Sequence, residues 1–187
     1  MGAIVEDIQE KKYDVLVIGA GAAGMRAAIA ASDEGASVCL VSKSLLGKAH
    51  TVMAEGGAAA ALGNADERDN WKVHFRDTIK GGKHLNNWKM AKIHAEQAPE
   101  RILELERWGA VFDRTKDGKI NQRNFGGHRY PRLAHVGDRT GLEIIRTVQD
   151  KVIHQDNIDI FMECTFATII TEDNQAVGAL AYYRNNG

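Results

Sequence analysis

Gly19, Gly21 and Gly24 stand in the spacing GxGxxG, within Gly19-Ala20-Gly21-Ala22-Ala23-Gly24. In a dinucleotide fingerprint the first glycine permits a tight turn and the second lets the backbone approach a pyrophosphate. The third lets a helix pack closely on a strand. A helix that opens here adds unpaired N–H groups and a favourable dipole for phosphate. The spacing gains meaning only from its context, a strand before it and a helix after it. It points to dinucleotide binding, with a purely structural glycine turn as the alternative. Where an ordinary NAD site carries an acid for the ribose, this chain has Ser42-Lys43 followed by Ser44. Ribose recognition then falls to Ser42, to backbone groups or to Lys43.

A second group is Gly47-Lys48-Ala49-His50-Thr51-Val52-Met53-Ala54-Glu55-Gly56-Gly57. His50 reads either as a hydrogen-bonded loop histidine or as a side chain that reaches the reactive ring of a cofactor. Gly56-Gly57, ahead of an alanine run, reads as a point of close backbone approach. A short helix is expected after it, its N-terminus offering further donors to an anion. A third group is Asn124-Phe125-Gly126-Gly127-His128-Arg129. Around it lie Arg123, Arg132, His135 and Arg139, with Asp138 the one acid of residues 123–139. Guanidinium grips carboxylate bidentately, so this loop faces an anion or is simply solvated. His74, His84, His94 and His154 lack metal-ligand spacing and read as surface or hydrogen-bonded histidines, and no metal site is read. Trp71, Trp88 and Trp108 read as core.

The elements that must position these residues follow from periodicity. Residues 13–19 (YDVLVIG) and 36–42 (ASVCLVS) read as buried parallel strands, joined by a helix from the glycine turn to Gly35. Strand, glycine turn, helix and strand make one βαβ unit. Residues 67–80 read as a helix with Trp71, Phe75, Thr78 and Ile79 on one face. Residues 87–98 and 100–108 read as two helices split by Pro99. Asp117-Gly118 signals a hairpin. Residues 140–154 read as a helix with Leu142, Ile145, Val148 and Val152 along one side. Three short strands are expected at 158–162, 166–171 and 177–183, with a turn at 172–175. The chain ends on Asn185-Asn186-Gly187, turn chemistry with no returning strand, so a truncated domain is expected. The expected fold class is α/β, a Rossmann-type domain over 13–187 with a small β-hairpin region after a tail at 1–12.

Composition agrees. The chain has 187 residues, 44% hydrophobic and 26% charged, and is long enough to bury a core without staples. A net charge of −1 gives no basic field for nucleic acid. Two cysteines, Cys39 and Cys164, support neither a disulfide framework nor an iron–sulfur cluster. No apolar stretch approaches the roughly 20 residues of a membrane helix.

With these residues in view, the sequence resembles the flavoprotein subunit of succinate dehydrogenase and fumarate reductase, in texture nearest the actinobacterial succinate dehydrogenases. The resemblance is carried by YDVLVIGAGAAGMRAAIAA, AHTVMAEGGAAAALG, HFRDTIKGGKHLNN, NFGG and DRTG. It implies an FAD domain with residues 19–24 on the pyrophosphate and residues 42–57 around the rest of the cofactor. Within the latter are Ser42, Lys43, Ser44, Lys48, Ala49, His50, Thr51, Ala54, Glu55, Gly56 and Gly57. His50 matches the histidine joined covalently to flavin. The noncovalent L-aspartate oxidases lack it, so that alternative is disfavoured, as is a stand-alone flavin-binding electron-transfer module. Ala49 departs from the serine common before that histidine. Gly56 and Phe125 match positions lining the dicarboxylate pocket.

The implied activity interconverts succinate and fumarate through hydride transfer at flavin N5, with an iron–sulfur subunit and membrane anchor subunits as partners and quinone beyond them. The implied location is cytoplasmic, peripheral on the inner face of the cell membrane. The family's proton-shuttling arginine and its dicarboxylate-clamping side chains match nothing in these 187 residues, so no catalytic residue is assigned.

Overall fold

A computed structural model describes residues 8–184. In chain order its elements are β1 (Val15–Ile18), α1 (Ala22–Asp33), β2 (Val38–Val41), a 3-10 turn (His50–Met53), β3 (Ala58–Ala59), α2 (Trp71–Gly81) and α3 (Trp88–Arg107). Then come β4 (Gln122–Arg123), β5 (Leu133–Ala134), α4 (Thr140–Ile153), β6 (Ile158–Phe161), β7 (Cys164–Glu172) and β8 (Gln175–Tyr183). The chain divides into two compact units. One holds the residues up to Leu46 together with those from Val152 onward, and the other is Gly47–Lys151.

In the first unit β1, β2 and β6 form a parallel sheet with β2 central, Val15 opposite Val38 and Val38 opposite Ile158. The central strand is buried at every position, as a parallel strand covered on both faces should be. β1 is an edge strand and differs from the expected buried run: Leu16 and Ile18 are exposed while Val15 and Val17 are half-buried. Helix α1 buries Met25, Ala28, Ile29 and Ser32. It ends at Asp33, and Gly35, at φ 87°, turns the chain so that the Ala36 N–H reaches the Ala31 carbonyl at 3.1 Å. Asn157, just before β6, donates to the Ser32 and Ala36 carbonyls at 3.1 and 2.7 Å, tying the helix end to the third strand. Free Cys39 and Cys164 pack in an apolar cluster with Val41, and burial pushes the Cys39 thiol up to about 11. β7 and β8 pair antiparallel across Asp173-Asn174, both at positive φ as a tight two-residue hairpin requires.

The second unit closes on Ala60, Ile102, Ala110, Phe112, Ile120 and Ala134. Here the alanine run after Gly57 departs from expectation. It forms no helix, and Ala58 and Ala59 instead pair antiparallel with Ala134 and Leu133, with β4 on the other side of β5. The pairing is close: a Cβ on Gly57, at φ 115°, would lie 2.9 Å from the Ala134 carbonyl oxygen. Gly57 therefore serves the sheet, and the expected donors of a following helix do not exist.

The two helices expected around Pro99 are one, α3, which carries the proline inside it. Proline removes one helical N–H, and the turns on either side bury Ala91, Ala95 and Ile102, which keeps the helix together. Asn70 and Asn87 cap α2 and α3, each side-chain oxygen accepting two backbone N–H bonds. The core assignments on α2 and α3 need correction. Trp88 is 58% exposed, and Trp71 and Trp108 are only half-buried. The residue α2 buries is His74. On α4, Ile145, Val148 and Val152 are buried as expected, but Leu142 is half exposed.

The expected tail at 1–12 shows no regular element over 8–12. Residues 1–7 and the Asn185-Asn186-Gly187 turn lie outside the described residues. Among the described residues no helix is long and apolar enough to cross a membrane, and no three His, Cys, Asp or Glu side chains are grouped to hold a metal ion.

Candidate functional site

Residues 19–24 and 42–44 belong to the first unit. Gly19 leaves β1 at φ 110°, in the left-handed region, with its N–H bonded to the Val41 carbonyl at 2.8 Å and open space where a Cβ would project. Gly21 is the N-cap of α1 in extended conformation. No side chain caps the helix, and its first turn holds no acid, so its N-terminal N–H groups and dipole are not already claimed by a side chain. Gly24 packs against Gly19 so tightly that a Cβ would overlap the Gly19 carbonyl oxygen and sit 3.0 Å from its carbon. The three glycines thus do separate jobs: a positive φ, an uncapped helix start and a close helix–strand contact. Ala20 between them is buried, while Ala22 and Ala23 open the helix. An open turn beneath uncapped amides is the cradle a pyrophosphate needs, so these residues fit the phosphates of the FAD implied by sequence.

Ser42 is buried at the end of β2, where its N–H bonds the Phe161 carbonyl at 2.8 Å and its carbonyl accepts from Cys164 at 2.9 Å. Its hydroxyl accepts the Ser44 N–H at 3.4 Å. Lys43 between them is exposed. Backbone, not side-chain charge, therefore fixes this strand end.

Residues 48–57 and Phe125 belong to the second unit. His50 opens a 3-10 turn and is exposed, as are Lys48, Ala54 and Glu55, whereas Ala49 and Thr51 are half-buried. The turn is seated on the start of α4. Gly141 N–H donates to the Ala54 carbonyl at 2.7 Å, and a Cβ there would overlap Thr51 O and lie 2.8 Å from Ala54 N. The glycine of DRTG is thus the floor on which the His50 turn rests.

Gly56 and Phe125 are brought together. A Cβ on Gly56 would meet the Phe125 ring at 3.9 Å, and the ring itself is 61% exposed. Arg123, one strand away, donates from Nε to the Gly56 carbonyl at 2.7 Å and from Nη2 to the Glu55 carbonyl at 2.6 Å.

The basic loop divides: Arg129 and Arg139 are exposed, whereas Arg123 and Arg132 bond within the protein. Arg132 is wholly buried, donates from Nη2 to Asp69 at 2.8 Å and forms an ion pair with Asp77 at 2.9 Å. Asp77 also accepts the Arg129 N–H at 2.9 Å. Arg123 and Arg132 are thus committed within the protein. Beside Arg132, buried His74 lies edge-on to His94 at 5.2 Å and tilted to His128 at 5.9 Å between ring centres. His74 is therefore no surface histidine, and its Nδ1 has no partner. Burial first, then the Arg132 charge, holds its pKa down to about 4. Burial likewise lowers His128 and raises Asp69, with Arg132 opposing the latter shift.

A separate open groove of about 900 Å³ runs along α2 and α3, between Trp71, Phe75, Ile79 and Trp88. It contains none of the residues singled out for cofactor or substrate. The roles of Gly141 and Arg123 escaped sequence reasoning, although DRTG and the basic loop had marked their neighbourhoods.

Comparison with known proteins adds an independent line. The family described as FAD binding domain matches residues 14–187. The Mycobacterium smegmatis Sdh1 complex in its apo form shares 58% identity at a TM-score of 0.90, covering 92% of this chain and 31% of that one. Escherichia coli quinol fumarate reductase shares 34% identity at a TM-score of 0.88, over 93% of this chain and 30% of that one. The succinate dehydrogenase flavoprotein subunit of Rickettsia conorii is 37% identical, covering 97% of this chain. The chain spans 31% of that relative's length.

Proposed function

Because the chain belongs to the FAD binding domain family, and its homologues are succinate dehydrogenase and fumarate reductase flavoprotein subunits, we propose that it supplies the FAD-binding portion of an enzyme that interconverts succinate and fumarate. Residues 19–24 would hold the pyrophosphate at the start of α1, and residues 42–44 would lie along the adenosine side. His50 would be the covalent anchor, and residues 48–57 would line the flavin. Gly56 and Phe125 would border the dicarboxylate. When bound, FAD supplies the redox chemistry, a hydride exchanged between a succinate C–H and the flavin ring. This chain's residues contribute position and exclusion. The glycine turn fixes the phosphates, the turn seated on Gly141 fixes His50, and the Phe125 ring covers one side of Gly56. Electrons would pass through an iron–sulfur subunit and membrane anchor subunits to quinone, which would hold the protein on the inner face of the cell membrane.

The observation that carries this reading is the 58% identity with the Sdh1 complex across 92% of the chain, with His50 held on an exposed turn. The test is acid denaturation of the full-length flavoprotein followed by flavin fluorescence on a denaturing gel, for the parent and His50→Ser. Fluorescence should stay with the parent protein and leave the variant, while parent enzyme should reduce an artificial acceptor with succinate. Flavin that remains attached in His50→Ser removes the covalent assignment. A parent without succinate or fumarate turnover removes the activity.

A further inference from the structure

Arg123 sits on β4, with its guanidinium directed at the segment before β3. One edge of that group, Nε and Nη2, donates to two consecutive carbonyls, Gly56 at 2.7 Å and Glu55 at 2.6 Å. Nη1 reaches Asp138 at 3.0 Å, but that carboxylate side chain is 85% exposed and the pair is screened. The neighbouring Gln122 of β4 is buried and donates to the Ala60 carbonyl at 2.6 Å, so this short strand holds both ends of the 55–60 segment.

All peptide bonds in the described chain are trans. In a planar trans peptide the N–H points opposite to the C=O. The Glu55 carbonyl shares a peptide with Gly56 N–H, and the Gly56 carbonyl with Gly57 N–H. With both carbonyls turned to Arg123, both N–H groups turn to the other side. Lysine cannot reproduce this, because a point charge on a flexible stem does not fork across two acceptors.

We infer that Arg123 is a positioning residue for the dicarboxylate pocket: its guanidinium edge fixes the Glu55 and Gly56 carbonyls and thereby sets where Gly56 stands against Phe125. The inference rests on the proposed succinate–fumarate activity. It makes Arg123 a backbone clamp rather than an anion ligand.

The experiment compares the full-length flavoprotein with Arg123→Lys and Asp138→Asn, reading bound flavin, KM and kcat for succinate, and amide hydrogen exchange over residues 54–58. Arg123→Lys should raise KM about tenfold, since small displacements of a positioned group cost heavily, with kcat kept within about threefold and flavin content unchanged. Exchange over 54–58 should quicken. Asp138→Asn should leave all four readings at the parent values. An unchanged KM in Arg123→Lys overturns the inference, as does a loss of flavin without a change in KM, or an equal effect in Asp138→Asn. If the parent neither oxidises succinate nor reduces fumarate, the proposed activity fails instead. The exchange rates then decide the clamp by themselves, unchanged exchange in Arg123→Lys overturning it.

Discussion

Gly141 lies against Thr51 so closely that any side chain at 141 would overlap the Thr51 carbonyl oxygen, while its N–H holds the Ala54 carbonyl at 2.7 Å. A residue at the start of α4 thereby fixes a turn some ninety positions earlier in the sequence, the turn that presents His50.

Gly141→Ala should therefore displace that turn. Overpacking of this kind costs about 1–3 kcal/mol, and urea denaturation should show a loss in that range. The fraction of protein carrying acid-stable flavin fluorescence should fall with it. Wild-type stability together with full flavin attachment would show that the turn is seated some other way.

The phosphate turn invites a parallel substitution. A methyl group on Gly24 would strike the Gly19 carbonyl, backbone against backbone, so neither side can yield by a rotamer change. Gly24→Ala should cost about 1–3 kcal/mol and reduce the flavin recovered per protein, measured by absorbance after denaturation. Flavin content equal to the parent's would mean that the close helix–strand contact does not shape the cofactor site.

What could be read from the sequence was what is local. The apolar runs at 13–19 and 36–42 and the glycines between them lie within thirty residues, and they give β1, α1 and β2 where expected. The Asp173-Asn174 hairpin is local in the same way. The errors cluster where distant partners decide. β3, β4 and β5 are two residues each, too short for a period-two pattern, so an alanine run that pairs with Leu133 and Ala134 looked helical. On α2, Trp71 reads as core, on one face with Phe75, Thr78 and Ile79, but the helix buries His74, next to a charged network whose arginine lies far along the chain. The candidate site divides along the same line. Gly19, Gly21, Gly24, Gly56 and Phe125 are each marked by a motif, whereas the contact of Gly56 with Phe125, the Arg123 clamp and the Gly141 seat depend on approaches across roughly 70 to 90 residues.

Arg132 should be among the most sensitive positions in the second unit. It is fully buried, it pairs with both Asp69 and Asp77, and Asp77 also holds the Arg129 N–H. Truncation to Arg132→Met strands two carboxylates, one of them with no exposed side-chain surface. Loss of one partner of a buried ion pair costs about 3–5 kcal/mol, and the denaturation midpoint should move accordingly. Arg132→Lys should recover only part of this, since an ammonium is more strongly hydrated than a guanidinium and costs more to bury at this site. A midpoint for Arg132→Met indistinguishable from the parent's would refute the network's role in stability.

The His74 environment predicts a pH dependence of definite sign. Burial, the Arg132 charge and the rings of His94 and His128 disfavour its protonation, and only Asp77 opposes them, which leaves its pKa at about 4 in the folded chain. Unfolded, a histidine titrates near 6.5. Between these values the unfolded chain binds more protons, so stability falls as pH drops from about 6.5 towards 4 and is fully present above that window. His128, also depressed by burial, acts in the same direction. Urea unfolding at pH 7 and pH 5 should differ by about 1 kcal/mol from His74, less than the bare shift implies because water reaches part of the cluster. His74→Gln removes the titrating group. Its overall stability should be lower, but the difference between the two pH values should shrink towards what His128 alone supplies. If the variant kept the parent's full difference, the proton would be landing elsewhere, and the buried histidine would not be the group that limits stability in acid.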